Sequence, residues 1–416
     1  MDVFNINNNK PQHKKFLMLK DEVYYYKARQ KFESLADGFY DRDKKFQIEF
    51  QTTFHSSFWE IFIHALLKEQ GFKVKEKYSR PDFIVESPEK MYIEAVVSNI
   101  KDDGDKEDKR TINDVFNNLK RFDSDEEFSK FINESIVRNS SAIDTKLKKY
   151  LNEYVECDWI EKDVPFIIAL SSYNQINYGK ESIFSMFALL YGLYFSPEKD
   201  KYSIKDSVVK RKSNGEEVEI PLGIFKNERF SDISAIIFSP TTTLGKLSAL
   251  SKSDGHDPAF VMNIRYNHEG KYLIHNVSPE HPESIYDGVY IFHNPLAKNK
   301  IKNHGIFHDK IIQFNLDENN YQHVYQENTL NLPIMARFCH PEVLLTEYDK
   351  LKFNMDAAAS YNGVELSEVV NYPGAENSTV DSNINIKSKK VKKNRKKLTK
   401  REAKNRINNK LKNKRK

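Results

Sequence analysis

Two carboxylates in the stretch 80-RPDFIVESPEKMYIEAVVSN-99 stand where apolar strands are expected: Asp82 opens one apolar run and Glu94 lies inside the next. If the two runs pair as a hairpin across "SPEK", both carboxylates approach one edge of a sheet. Together with a backbone carbonyl they make the oxygen set that Mg²⁺ or Mn²⁺ takes, with water completing the octahedron. A cation so held lowers the pKa of a bound water and neutralises charge on a phosphodiester under in-line attack. Glu94 needs a partner in any case, because burying a lone carboxylate costs several kcal/mol. The same spacing also fits a Glu94 that faces solvent on an edge strand, or one that pairs with a nearby Lys or Arg.

The flanking pattern supplies elements to position them. The segment 54-FHSSFWEIFIHALLKEQG-71 has apolar residues at helical spacing, Ser56 or Ser57 as a cap and Gly71 as a stop. Residues 72–78 alternate like a half-buried edge strand. Helical patterns cover 113–121 and 126–154. The continuous apolar run 165-PFIIALSS-172 reads as a central strand buried on both faces, and a helix follows at 180–195. This order predicts an α/β fold, one mixed sheet flanked by helices. From about residue 200 the chain is richer in strands: Asn214-Gly215 marks a hairpin, and short strands are expected at 233–239, 260–267, 289–294 and 310–316. Periodicity leaves open whether these extend the first sheet or form a separate lobe. The working division is a helical extension (1–50), a core (51–200), a strand-rich α+β lobe (201–350), a linker (351–386) and a basic tail (387–416).

Residues 54–98 resemble the PD-(D/E)XK nuclease superfamily, whose fold is restriction-endonuclease-like. The resemblance rests on Glu60 of the first helix, the literal Pro81-Asp82 at a strand start, Glu94 on the next strand, and the α-β-β-β-α-β order. It implies that Asp82 and Glu94 bind the metal with the carbonyl of Ala95, and that Glu60 supports it through water. It spans roughly residues 50–175. Glu60 has a second reading, because Ser57-Phe58-Trp59-Glu60 matches a capping box.

The departure is Val96. The family's lysine sits two residues after the glutamate, on the same side of the strand; here that position is apolar. One resolution is a cation from the helix 136-IVRNSSAIDTKLKKYLNEY-154. Lys146 borders its apolar stripe, whereas Lys148 and Lys149 lie further toward solvent. A lysine at that border can snorkel to the sheet edge, and Arg138 is a candidate phosphate contact, as is Lys148. The other resolution is an inactive nuclease-like fold that binds nucleic acid or a partner.

The net charge of +5 conceals an asymmetry: residues 387–416 hold 17 Lys or Arg and one acidic residue, Glu402, while the rest of the chain is acidic. Such a tail has too little apolar surface for a core and is expected to be disordered. Lys392, Lys393, Arg395, Lys396 and Lys397 are its densest cluster, suited to counterion release from a phosphate backbone. The expected partner is therefore nucleic acid, DNA first, with a homodimer allowed.

Two cysteines, Cys157 and Cys339, argue against a disulfide framework, and no apolar leader opens the sequence. A cytoplasmic, membrane-free protein is expected, and a defence role follows only by analogy with the superfamily. There is no phosphate loop, no GxGxxG and no nucleophile elbow. His293, Asn294, His304 and His308 invite comparison with an HNH-type site, but no acidic partner other than Asp309 stands at a useful spacing.

Overall fold

The computed structural model describes residues 3–361 apart from 7, 102, 103, 106, 212, 213, 256, 267–271, 317–323 and 328–330. Its centre is a mixed eight-stranded sheet whose spatial order follows the sequence: β1 (Lys73–Lys75), β2 (Phe83–Ser87), β3 (Met91–Asn99), β4 (Phe166–Tyr173), β5 (Ala235–Ser239), β6 (Tyr290–His293), β7 (Ile312–Leu316) and β8 (Val324–Glu327). β1, β2 and β3 run antiparallel in turn, with Phe83 opposite Ile93, while β3, β4 and β5 are parallel, with Glu94 opposite Ile168. β4 is buried along its whole length, as an apolar strand covered on both faces must be.

Alternation along β3 decides which helix meets which carboxylate. Ile93, Ala95 and Val97 face the helix α4 (Phe54–Glu69), where Trp59, Phe62, Ile63 and Leu66 share their core. The Trp59 indole N–H donates to the Ala169 carbonyl at 2.8 Å and ties α4 to β4. Phe54, Phe58 and Ile61 bury the rest of α4 against α1 (Lys14–Asp21), α2 (Tyr26–Leu35) and α3 (Phe46–Thr52). Glu94, Val96 and Ser98 point the other way, toward the long helix α6 (Asp125–Lys149), where Ser98 bonds Asn139 at 2.7 Å. The short α5 (Ile112–Asn117) precedes it, and α7 (Phe184–Tyr191) follows β4.

Three expectations change. The boundary at residue 200 does not divide the sheet: β5 to β8 continue it, because β5 is apolar enough to lie buried beside β4. Only part of the second segment stands apart. It forms a three-stranded antiparallel sheet of Tyr272–Asn276, Ala259–Tyr266 and Ile334–Pro341, which packs on α8 (Leu244–Ser253). The linker expected from 351 begins as a helix, α9 (Glu347–Ser360), started by a Thr346–Asp349 capping box. The remaining linker and the basic tail lie outside the described residues. The Asn214-Gly215 hairpin forms between Ser207–Arg211 and Glu217–Pro221. Among the described residues no helix is long and apolar enough to cross a membrane.

Candidate functional site

Asp82 ends the turn into β2 directly beside Glu94 of β3. The Asp82 backbone N–H donates to Glu94 Oε2 at 3.3 Å, and the Ala95 N–H donates to Asp82 Oδ2 at 2.7 Å. A strand residue's N–H and C=O leave on the same side, so the Ala95 carbonyl shares the edge that faces Asp82. Glu94 is 1 % exposed. Its Oε1 receives the Lys146 ammonium at 2.6 Å and the Tyr154 hydroxyl at 2.9 Å, with Lys149 Nζ 3.5 Å away. Lys146 thus occupies the space beside the carboxylate that the apolar Val96 does not fill.

The helix end explains this convergence. α6 runs regularly to Lys149 and widens into a π-turn over Tyr150–Tyr154, a device that re-aims side chains. Tyr150 stacks on Phe166 of β4 with ring centroids 4.0 Å apart, pinning the turn to the sheet. Lys149, expected toward solvent, is drawn to Glu94 because it shares a helix face with Lys146. Lys148 does lie outside, paired with Asp144 at 2.7 Å. Arg138 pairs with Glu134 at 2.9 Å, about 12 Å along the axis from Lys146; it does not join the carboxylates.

Glu60 is not a capping residue. α4 begins at Phe54 with Thr53 as its cap position, so Glu60 lies in the second turn and neither Ser56 nor Ser57 is the cap. Burial pushes its carboxyl up to about 8, and the charge of Asp82 adds to the shift. Burial likewise raises Asp82 to about 7, with Glu94 contributing, while Lys146 and the Ala95 N–H oppose it. Burial would lower the Lys146 ammonium, but Glu94 and Asp82 outweigh it and raise its pKa. His64, one turn past Glu60, bonds the Asp37 carbonyl at 3.1 Å and stays outside the site.

Sequence reasoning missed Arg42, Tyr154 and Lys149. Arg42 donates to the Tyr78 and Pro81 carbonyls at 2.6 and 3.3 Å, and its charge favours ionised Asp82. It lines an open cavity of about 320 Å³ with Asp82, His64, Lys68 and Lys75. Nothing in "DRDKK" announces that placement. Tyr154 was legible only as one more apolar position of the α6 stripe.

Two other groups of residues are structural. His293 bonds Gln313 at 2.9 Å, and Asn294 donates to the Phe230 and Ile233 carbonyls, so the HNH-like string holds β6 in place. His13, His55 and Glu107 bring three metal-type donor atoms within 4.8 Å of one another. However, His13 Nδ1 already accepts the Lys15 N–H at 3.2 Å, which makes its Nε2 a donor in the neutral ring. Burial would raise the Glu107 carboxyl, but His55, Lys15 and Tyr178 hold it below its usual range. The cluster is an ion-pair junction between α1, α4 and the loop after β3.

Comparison with known proteins finds no matching family, no similar curated protein and no similar solved structure.

Proposed function

We propose that the chain is a metal-dependent nuclease of the restriction-endonuclease-like type, hydrolysing phosphodiester bonds of nucleic acid, DNA first. The observation that carries this reading is the Lys146–Glu94 contact of 2.6 Å beside Asp82, a lysine and two carboxylates gathered at one sheet edge. A resident Mg²⁺ or Mn²⁺ fits the donor set. Asp82 and Glu60 are half-buried carboxyls whose charged forms are disfavoured without a cation, and Asp82 Oδ2 and Glu94 Oε2 meet where β2 begins beside β3. Asp82, Glu94 and Ala95 would hold the ion, with Glu60 reached through water. When bound it would acidify a water and neutralise phosphate charge.

The chain's own groups do the rest. Lys146 orients the attacking water and balances negative charge as it develops on the phosphate. A fixed cation in a partly desolvated site stabilises such charge without reorganising. Tyr154 fixes the Glu94 carboxylate by donating to Oε1. Arg42, Lys68 and Lys75 put cations on the wall of the cavity beside Asp82, alongside Glu76, where a phosphate backbone would lie. The tail, 387–416, adds sequence-independent affinity.

A second reading is a nuclease-like binding module. It is favoured by the full set of donors Glu94 already receives from Lys146, Tyr154 and the Asp82 N–H. Degradation of plasmid DNA with Mg²⁺ by wild type, Asp82→Ala and Glu94→Ala separates the two. Cleavage by wild type alone supports the nuclease, and equal cleavage by all three overturns it. DNA binding without cleavage in all three establishes the binding module.

A further inference from the structure

The helix α9 is apolar on two opposite faces. Its inner face carries Phe353 and Ala357, with Tyr361 at its end, into the core of the three-stranded sheet. The Phe353 ring centroid lies 4.9 Å from those of Phe116 and Phe338. On the far side, Leu351, Met355, Tyr348 and Ala359 fall within an arc of about 80° at 100° per residue. All four are exposed, Tyr348 at 72 %, Leu351 at 51 % and Met355 at 52 %. Val343 and Leu344, in the turn before α9, are exposed as well. Five of the thirteen exposed large apolar side chains among the described residues therefore fall within 343–355. Single exposed apolar residues are ordinary, but this cluster leaves on the order of 500 Å² of apolar surface in water, a patch that marks an interface. A helix apolar all round belongs between two layers, and the described residues cover one face of α9 only.

The pattern of the outer face says what covers it. A second α9 laid antiparallel along the first, ends in register, brings Tyr348 level with Ala359 of the second copy, a large side chain against a small one. Leu351 and Met355 then interleave near the middle of the seam. Lys352 and Asp356 are both exposed and lie on the same flank of the stripe. A two-fold axis sets like flanks side by side, so Lys352 of each copy comes level with Asp356 of the other. The face is thus complementary to itself in shape and in charge. The next apolar run of the chain, 364-VELSEVV-370, fits it less well, because it carries Glu365 and Glu368 and no cation for Asp356. Two such faces bury about 1,000 Å² in total, the lower limit for a specific interface, so the association is reversible.

We propose that the outer face of α9 is a homodimer interface, formed by antiparallel pairing with α9 of a second copy and independent of any nuclease activity at the carboxylate edge. Sedimentation equilibrium of the full chain, freed of nucleic acid, tests it over about 1–200 µM, the range expected of an interface this small. The mass should rise from monomer to dimer across that range. Leu351→Glu should abolish the rise, and Lys352→Glu should weaken association on the order of tenfold by setting like charges opposite each other. The exchange Lys352→Glu/Asp356→Lys should recover it, since the pair is restored with its signs reversed. These positions are exposed, so melting temperatures measured at low concentration should stay within a degree or two of wild type. A monomer at every concentration overturns the proposal. So does association that Leu351→Glu leaves unchanged, which would place the contact elsewhere, or an exchange variant no better than Lys352→Glu.

Discussion

Lys146, in the last turn of α6, places its ammonium 2.6 Å from Glu94 of β3, although the two residues are 52 positions apart and belong to different layers. Glu94 is almost wholly buried and Lys146 is 19 % exposed. The pair is therefore worth most to the molecule as a compensated unit, since removing one partner strands the other's charge.

Replacing Lys146 by Met should cost about 3 kcal/mol of stability and lower Mg²⁺-dependent cleavage on the order of a hundredfold. Val96 lies on the same face of β3 as Glu94. A Val96→Lys/Lys146→Met double variant therefore moves the cation back onto the strand and should recover part of both losses. Urea unfolding and plasmid cleavage measure the two effects. No difference between the double variant and Lys146→Met would show that the position of the cation, and not its presence, governs the site.

Tyr154→Phe removes one donor to Glu94 while keeping the ring in its pocket. A hydrogen bond to a charged group contributes about 1.5–3 kcal/mol, so the melting temperature should fall without loss of cooperativity. The variant should still retain more cleavage than Lys146→Met, because the cation stays. Differential scanning calorimetry beside a cleavage assay checks both statements.

Asp82 and Glu60 have folded-state pKa values raised to about 7 and about 8. Their contribution to stability is fully present below the ordinary carboxylate range near 4 and is lost as pH rises to about 8, because ionisation is penalised more in the folded state. In EDTA the melting temperature should therefore decline between pH 6 and pH 8 through these groups. Mg²⁺ should raise it, more at pH 8 than at pH 6, since the ion takes the ionised form. Asp82→Asn should flatten the decline and abolish the Mg²⁺ effect. A melting temperature that ignores Mg²⁺ at both pH values would remove the ion from this site.

The placement of Asp82 beside Glu94 was legible because period-2 alternation and a four-residue turn fix the β2–β3 register, and register fixes neighbours. Lys146 was legible because helical phase puts it at the border of an apolar stripe. That phase argument fails one turn later: the π-turn at Tyr150 resets the angle, so Tyr154 reaches Glu94 unannounced, whereas Lys149, still in regular helix, follows Lys146 on a shared face. Arg42 was illegible for another reason. It lies before α4 and reaches the site through the Tyr78 and Pro81 carbonyls, long-range bonds with no sequence period. The continuation of the sheet past residue 200 was ambiguous because a short apolar strand such as Ala235–Ser239 reads the same in one sheet or two.

Beneath the three-stranded sheet, Glu283 accepts Lys246 at 2.8 Å, Asn263 at 2.8 Å and Arg337 in a close contact, with all four side chains partly or fully buried. Glu283→Gln would leave two buried cations short of a partner and should cost about 3–5 kcal/mol. Glu283→Gln/Lys246→Met should cost less than the single change, because the second substitution removes one stranded charge. Chemical denaturation of both variants checks the order, and a double variant less stable than the single one would mean that Lys246 is held mainly by the Ser284 and Asp287 carbonyls.

Deleting 387–416 should weaken DNA binding uniformly across sequences and reduce its salt dependence. Each phosphate no longer neutralised by a Lys or Arg flattens the slope of log K against log salt by about 0.9. Substituting only Lys392, Lys393, Arg395, Lys396 and Lys397 by Gln should give a smaller change of the same sign if charge density, and not a folded interface, does the binding. Melting temperature should not move in either variant, since the segment has too few apolar residues to contribute to a core. Fluorescence anisotropy with a short duplex at several salt concentrations gives the slopes. An unchanged slope on deletion would transfer nucleic-acid affinity to the cations beside Asp82, where Arg42→Ala should then produce the loss.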